Sequence, residues 1–358
     1  MPIGPETPMP GAAPPIVVIG AGGIVRDAHL PAYSKAQFPV AGIFDLEVTR
    51  SRALADRFQI PKVYVSLQET VREAPPHSIF DLAVPASAML DILPQLPDGS
   101  GVLLQKPMGE TLEEAARIRF LCRQKQLTAA VNFQLRFAPP VAMARDLIQQ
   151  GILGEIYELD IHVTTYTPWR LWSFLETLPR VEILYHSIHY LDLVRSFLGE
   201  PKGVYAHTLK HPKCPNLSSA RSSIILNYGD TVRANIITNH NHAFGSRHQE
   251  SYIKWEGSQG AAKATLGVLL DYPKGKPDHF EYCALKDGAE PEWTPLPLKG
   301  TWFPDAFAGS MASLMRFMEG SSGALPTGVE DAFKTMALVE ACYQSSEGGG
   351  TPLPVRAS

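Results

Sequence analysis

The run Pro-Pro-Ile-Val-Val-Ile-Gly-Ala-Gly-Gly-Ile-Val-Arg-Asp-Ala at residues 14–28 constrains this chain more than any other stretch. A β-branched apolar run stops in glycines and then resumes with helical spacing, which reads as a buried strand feeding a tight turn and a helix. Gly20 and Gly22 carry no Cβ, so the backbone can turn sharply and a pyrophosphate can approach the amides at the helix N-terminus, with Gly23 and Ile24 completing the turn. At the third position of the dinucleotide fingerprint, usually Gly or Ala, stands Val25, which asks for slightly wider packing of helix on strand. The next apolar run, 40–44, ends in Asp45, about 20 residues after the turn, where a carboxylate binds a ribose 2′-hydroxyl and repels a 2′-phosphate. The expected cofactor is therefore NAD rather than NADP, although Arg50 and Arg52 would tolerate a phosphate if they folded back.

At 358 residues the chain suits two domains. With 45% apolar and 19% charged residues it reads as globular, and no apolar run is long enough to span a bilayer. A net charge of -4 with scattered basic residues argues against a nucleic-acid partner and against membrane binding. Residues 1–15 hold six prolines and no Lys or Arg, unlike a signal peptide, and are expected to form a disordered leader. Cys122, Cys214, Cys283 and Cys342 show no paired spacing, which fits reduced thiols in a cytoplasmic protein and no zinc site.

From 16 to 137, short apolar runs at 16–19, 40–44, 79–84, 101–105 and 129–132 alternate with amphipathic stretches reaching Tyr33, then 48–58, 88–96 and 112–125. Strands of this kind are buried on both faces of a doubly wound parallel sheet, the Rossmann arrangement, so 16–137 is expected to be the cofactor domain. Pro31 should kink its helix or lie near an end. From 138 the pattern changes: a helix at 141–150, then alternating strands at 155–166, 203–209, 221–228, 232–239 and 250–256, with one strong helix at 183–198. That periodicity predicts a C-terminal α/β domain, 138–347, with an open, mostly antiparallel sheet. Residues 274–300 read as a long hairpin or loop, two helices follow at 306–319 and 329–345, and 348–358 is expected to be a flexible tail.

Ligands of a doubly wound sheet bind at the carboxyl ends of its strands. The residues there are Gly20 to Gly23, Asp45, Val84 and Pro85, Gln105 and Lys106, and 132–136, including Asn132 and Gln134. Lys106 follows an apolar strand and precedes a proline; in a partly dry pocket its pKa should fall toward the range where it takes a proton from an alcohol. A second focus is Tyr185, His186, His189 and Asp192, since residues three apart share a helix face and Asp192 is placed to orient His189 as an acid/base group. Two histidines three apart lack the usual zinc spacing, so no metal is expected. Trp169 and Arg170 are candidates to reach over substrate or cofactor. The run Asn-His-Asn-His at 239–242 reads as a solvated turn with some potential for sugar contacts.

These motifs together resemble one family. Gly20-x-Gly-Gly23, His29-Leu-Pro-Ala, Lys106-Pro107, Asn132-Phe-Gln-Leu-Arg-Phe137, Gly151-Ile-Leu-Gly-Glu155 and Ile188-His-Tyr-Leu-Asp192 with Leu198-Gly-Glu-Pro201 are similar to the glucose-fructose oxidoreductase / inositol dehydrogenase / rhizopine-catabolism (Gfo/Idh/MocA) family, over 16–345. The resemblance implies a small carbohydrate or polyol substrate oxidised at a secondary hydroxyl, a homodimer or homotetramer built on the open sheet, and functional roles for Lys106 and His189. Two positions depart from the family pattern: Gln105 stands where Glu is usual and Tyr185 where Asp is usual. The expected activity is an NAD-dependent sugar, sugar-acid or polyol dehydrogenase. The alternatives are a redox-neutral NAD-retaining lyase, epimerase or glycosidase, and a non-catalytic NAD sensor.

Overall fold

The computed structural model describes residues 8–272 and 274–353, so residues 1–7 of the expected leader and 354–358 of the expected tail lie outside the described residues. Five short strands, β1 (Ile16–Ile19), β2 (Val40–Phe44), β3 (Ile79–Leu82), β4 (Gly101–Leu104) and β5 (Thr128–Val131), form a parallel sheet in the order β2-β1-β3-β4-β5. β1, β3 and β4 are buried along their whole length, which explains continuous apolar runs without alternation. Between them run α1 (Leu30–Lys35), α2 (Val48–Phe58), α3 (Leu67–Glu73), α4 (Met89–Ile92) and α5 (Leu112–Gln124). The chain leaves β1 toward β2 on one side and returns to β3 on the other, so the carboxyl ends of β1 and β3 bound the crevice of the sheet.

The helix after the glycine turn is composite. Helical turns start at Gly23, widen into a π segment over Val25–His29 and tighten into α1, so Pro31 falls in the first turn of α1. β3 ends at Leu82, two residues before the expected end, leaving Val84 and Pro85 in the turn beyond it. α3, absent from the expectation, begins at a reciprocal cap: the Glu69 amide donates to the Ser66 hydroxyl at 3.1 Å, and the Val65 amide donates to the Glu69 carboxylate at 2.7 Å.

After α6 (Pro139–Gln149) come β6 (Ile156–Thr164), α7 (Ile188–Leu198), β7 (Gly203–Leu209), β8 (Arg221–Asn227), β9 (Arg233–Asn239), β10 (Glu250–Gly257), β11 (Gly260–Thr265), β12 (His279–Ala284) and β13 (Thr294–Pro295). They make an eight-stranded sheet, β13-β12-β11-β10-β6-β9-β8-β7, in which β6 and β9 are parallel and every other pairing is antiparallel. The stretch 274–300 contributes β12 and β13 to the sheet as an antiparallel hairpin, the first of the two forms expected for it. β11 was not expected because Gly-Ala-Ala-Lys-Ala-Thr lacks β-branched bulk; its Gly260 lies so close to β12 that an added Cβ would come within 2.5 Å of the Cys283 carbonyl oxygen.

The two closing helices, α8 (Asp305–Met318) and α9 (Val329–Glu347), turn back toward the first sheet. Phe307, Met311 and Met315 of α8 join Ile16, Val18 and Ile43 in one apolar cluster. Met336, Val339 and Cys342 of α9 belong to a larger core shared by both sheets, so the crevice between the sheets is held by helices from the far end of the chain. Ahead of β1, the Gly11 amide donates to the Glu319 carboxylate just past α8. Among the described residues no helix is long and apolar enough to cross a membrane.

Candidate active site

The glycine turn meets its neighbours as its residue types require. Gly20 has φ +110°, and a Cβ there would lie 2.4 Å from the Ala83 carbonyl oxygen and 3.5 Å from Val84. A Cβ on Gly22 would meet nothing within 4 Å, which leaves the room a pyrophosphate needs beside first-turn amides that have no intrahelical acceptor. Asp45 accepts from the Ala21 amide at 2.7 Å and from the Glu47 amide at 2.8 Å, one bond per oxygen, so its carboxylate keeps acceptor capacity for a ribose hydroxyl. Arg50 has folded away from the turn onto Glu47, at 2.7 Å. The cradle fits a dinucleotide whose ribose keeps its 2′-hydroxyl.

A buried polar network fixes the strand ends. His29, in the π segment, donates from Nδ1 to Asp81 of β3 at 2.7 Å, and the Tyr33 hydroxyl donates to the same oxygen at 2.9 Å. With Nδ1 protonated, His29 Nε2 is the acceptor for the Gln105 amide at 3.1 Å and the Asn132 amide at 3.3 Å. Gln105 in turn accepts the Lys106 amide at 2.8 Å. One imidazole therefore ties together β3 and the residues just past β4 and β5, which sets the direction in which Lys106 leaves its strand. Sequence reasoning quoted His29 only as part of a motif and passed over Asp81; an acid inside the run Ile-Phe-Asp-Leu was the available signal.

Lys106 reaches across to the other half of the molecule. Its Nζ donates to the Tyr185 carbonyl oxygen at 2.5 Å and lies 6.0 Å from the Tyr185 ring. Burial lowers the ammonium from its usual range to about 8. Tyr185 and His186 sit in a second π segment, Glu182–Ser187, that leads into α7 and so brings His189 beside them. Burial, reinforced by the nearby Lys106 ammonium, holds both His186 and His189 well below the ordinary histidine range, so both imidazoles are neutral at pH 7. Tyr185 donates to Glu110 at 3.5 Å, and burial followed by that carboxylate raises its phenol.

Two expectations are corrected here. Asp192 does not orient His189: its oxygens accept from Arg136 at 2.6 Å each and from Thr335 at 2.9 Å, because a fully buried carboxylate takes the nearest bidentate cation. The stretch 239–242 is not a solvated turn. His240 is 1% exposed and donates from Nε2 to Glu182 at 3.2 Å, while its ring lies 4.5 Å from that of His186. Glu182 also accepts from Ser187 at 2.7 Å and from Ser222; although burial opposes ionisation, these donors keep its carboxyl below the usual carboxylate range. Glu182 and His240 were missed as a pair, and the charge within Val-Glu-Ile-Leu was the clue.

Of the remaining candidates, Trp169 is buried and meets the His186 ring edge-on at 5.2 Å, whereas Arg170 is exposed. Gln134 is buried with its Oε1 accepting from the Leu135 amide. Among the described residues no cluster of three or more His, Cys, Asp or Glu is arranged to hold a metal ion.

A parallel sheet with a glycine turn at its switch point, joined to a domain built on a mostly antiparallel sheet, is the architecture of a dinucleotide-binding protein. The family model described as "Oxidoreductase family, NAD-binding Rossmann fold" matches residues 15–133, and that described as "GFO/IDH/MocA C-terminal domain" matches 141–263. The chain belongs to the Gfo/Idh/MocA oxidoreductase family. It is 22% identical over 341 residues to D-xylose 1-dehydrogenase (NADP(+)) 2 of Haloferax volcanii, covering 93% of this chain and 97% of that one. It is 24% identical over 270 residues to D-apiose dehydrogenase of Rhizobium rhizogenes, covering 70% and 71%. Among solved structures, an oxidoreductase from Agrobacterium radiobacter in complex with NAD+, L-tartaric acid and magnesium superposes with a TM-score of 0.76 at 19% identity, covering 95% of this chain and 98% of that one.

Proposed function

We propose that this chain is an NAD-linked dehydrogenase oxidising a secondary hydroxyl of a sugar, sugar acid or cyclic polyol. The reading rests most heavily on the reach of Lys106 from the first sheet to Tyr185 at the head of the segment that carries His189. Two proton-accepting groups from opposite halves thereby share one site beside the crevice. Gly20, Gly22, Gly23 and Ile24 would hold the pyrophosphate, Asp45 the ribose, and Val84, Pro85, Gln105, Asn132 and Arg170 the rest of the cofactor. The carboxylate of Asp45, with Arg50 already paired, favours NAD over NADP. Bound NAD supplies the hydride acceptor.

The chain itself supplies proton transfer and positioning. As the substrate carbon gives up its hydride, Lys106 in its amine form takes the hydroxyl proton, and neutral His189 shares it or passes it on. Tyr185, His186, Gln134 and Trp169 hold the sugar in register, which supplies much of the acceleration. The two domains proposed from the pattern, 16–137 and 138–347, place these groups on opposite walls. The test is NADH absorbance across a panel of aldoses, inositols and sugar acids, with NADP in parallel. Reduction of NAD by at least one member is expected; no reduction by any, together with no NAD binding, would overturn the reading.

A further inference from the structure

Two stretches of widened helix converge on Gln105 and Lys106. The π segment Val25–His29 supplies His29, which takes the Gln105 side-chain amide, and the π segment Glu182–Ser187 supplies the Tyr185 carbonyl, which takes Lys106 Nζ. The second bond depends on the register of its helix. In an unbroken α-helix the carbonyl of Tyr185 belongs to the amide of His189, four residues on. Here the Tyr185 amide still pairs four back, with the Val181 carbonyl, whereas the Ile188 amide pairs five back, with the Ile183 carbonyl. The ladder therefore changes step between Tyr185 and His189. Such π turns are rare and concentrate at functional sites, so this one calls for a cause.

Glu182 supplies it. Its carboxylate accepts from the Ser187 hydroxyl at 2.7 Å, five residues on. At 3.6 residues per turn, side chains five apart point about 140° away from each other. That bridge therefore closes over a π turn, and an α turn would break it. From outside the segment, His240 and Ser222 donate to the same carboxylate, while the Ser219 and Tyr343 hydroxyls take the amides of Glu182 and Leu184. Glu182, Ser187, Ser222 and His240 are at most 3% exposed, so water does not compete for these bonds. A buried carboxylate opposes folding unless its donors are all in place, so the network selects one register instead of merely filling space.

We infer that Glu182 is a positioning residue: bridged to Ser187 and anchored by His240 and Ser222, it holds the head of α7 in π register and so presents the Tyr185 carbonyl to Lys106. This inference rests on the dehydrogenase reading only for the role of Lys106 as proton acceptor; the register and the titration of Lys106 are measurable without substrate. The titratable groups around Lys106 are Tyr185, His186 and His189, with Glu110 behind the Tyr185 hydroxyl. Those that feel the charge of Glu182 are His240, Tyr190, Cys342 and Tyr343. Without its carbonyl tether the Lys106 side chain is free to return its head to water. A lost neutral hydrogen bond moves a pKa by about one unit. Hydration undoes the whole displacement that burial imposes, from the usual lysine range down to about 8. Hydration is the larger effect, so loosening the register should raise the pH at which Lys106 loses its proton.

Two variants of the whole chain test this. Ser187→Ala removes the bridge by deleting one hydroxyl, and Glu182→Gln removes the charge at constant shape; should the second fold poorly, the first decides. The titration of Lys106 is read without substrate, by competitive acetylation across a pH series followed by peptide mass spectrometry, and the segment by amide exchange over 183–190. In each variant the Lys106 midpoint should rise by about one unit or more. Exchange should quicken over 183–190 while that of the first sheet stays as it was, and the rising limb of kcat/KM should move with the midpoint. An unmoved or lowered midpoint in Ser187→Ala overturns the inference whatever happens to activity, because a merely structural loss reduces the amount of folded protein without moving a titration. A raised midpoint in a chain that reduces NAD with no sugar or polyol supports the inference and counts against the dehydrogenase.

Discussion

Removing water from around Lys106 brings its ammonium down to about 8, and the proposed reaction needs the amine as proton acceptor. The sign follows directly: below about 8 the group is protonated, so log kcat/KM for alcohol oxidation should rise with pH and level off above that value. Gln105→Glu places a carboxylate on the side chain that takes the Lys106 backbone amide, adds a negative charge one residue from the ammonium and should move the rising limb to higher pH; an unmoved limb would mean that another group sets it. Lys106→Met should lower kcat/KM by about 10²–10⁴-fold, the range expected for one positioned general base. Binding of NAD, followed by intrinsic fluorescence, should change little, because the pyrophosphate cradle lies at the glycine turn. If NAD affinity falls in step with turnover, Lys106 is a cofactor ligand first.

The helix that carries His189 depends on ion pairs made one and two turns further along it, by Asp192 and Arg195. Arg136, just past β5, grips Asp192 with two bonds and Asp331 of α9 with a third, and Arg195 one turn further on α7 grips Asp331 and Glu200. Asp192→Ala leaves the Arg136 guanidinium buried with one partner fewer and should cost about 3–5 kcal/mol, read as a lower unfolding midpoint and faster amide exchange in α7. Unchanged exchange there would mean that apolar packing alone places the helix. At this scale the sequence was most legible where hydrophobic period and length agree: β1, β2 and β7 lie within the expected bounds, and α5 and α7 nearly so. It failed where local chemistry had to be read in three dimensions. α3 rests on a cap that the pattern Ser66-x-x-Glu69 announces, β11 is built of small residues because β12 crowds it, and neither π segment has a sequence signature. At the candidate site, Lys106 and His189 are legible from their positions after β4 and on α7, whereas the partners Arg136 of Asp192 and Glu182 of His240 lie 56 and 58 residues away.

The second sheet has two faces with different fates. On β8 and β9 the residues Ser222, Ile224, Leu226, Ala234, Ile236 and Thr238 turn inward and are buried, and β7 is tied to α9 by hydrogen bonds that the Ala206 and Thr208 amides donate to the Ser345 and Ser346 hydroxyls. The alternate residues face out, and they are not uniformly polar. Tyr205 is 65% exposed and pairs across the ladder with Ile225, itself 46% exposed; Ile237 on β9 and Leu209 on β7 continue the patch. Exposed apolar side chains gathered on an otherwise polar sheet face are a candidate interaction surface, and such a face can meet itself across a two-fold axis. The family resemblance implies the same partner, a second copy of the chain. The 358-residue chain should therefore run on size exclusion with light scattering at twice or four times the mass of one chain. Tyr205→Glu combined with Ile225→Glu should shift it to the mass of one, with the far-ultraviolet circular dichroism retained because both side chains lie outside the core. A wild-type chain that runs as a single copy, or a double variant that still assembles, would place any oligomer contact elsewhere. Because Tyr205, Ile225 and Ile237 stand on the face of the sheet turned away from the buried side chains of β8 and β9, such an assembly is expected to leave the crevice open to substrate. Loss of assembly should then lower stability more than it lowers kcat, and a coincident loss of both would connect the outer face to the site through β8, whose Ser222 holds Glu182.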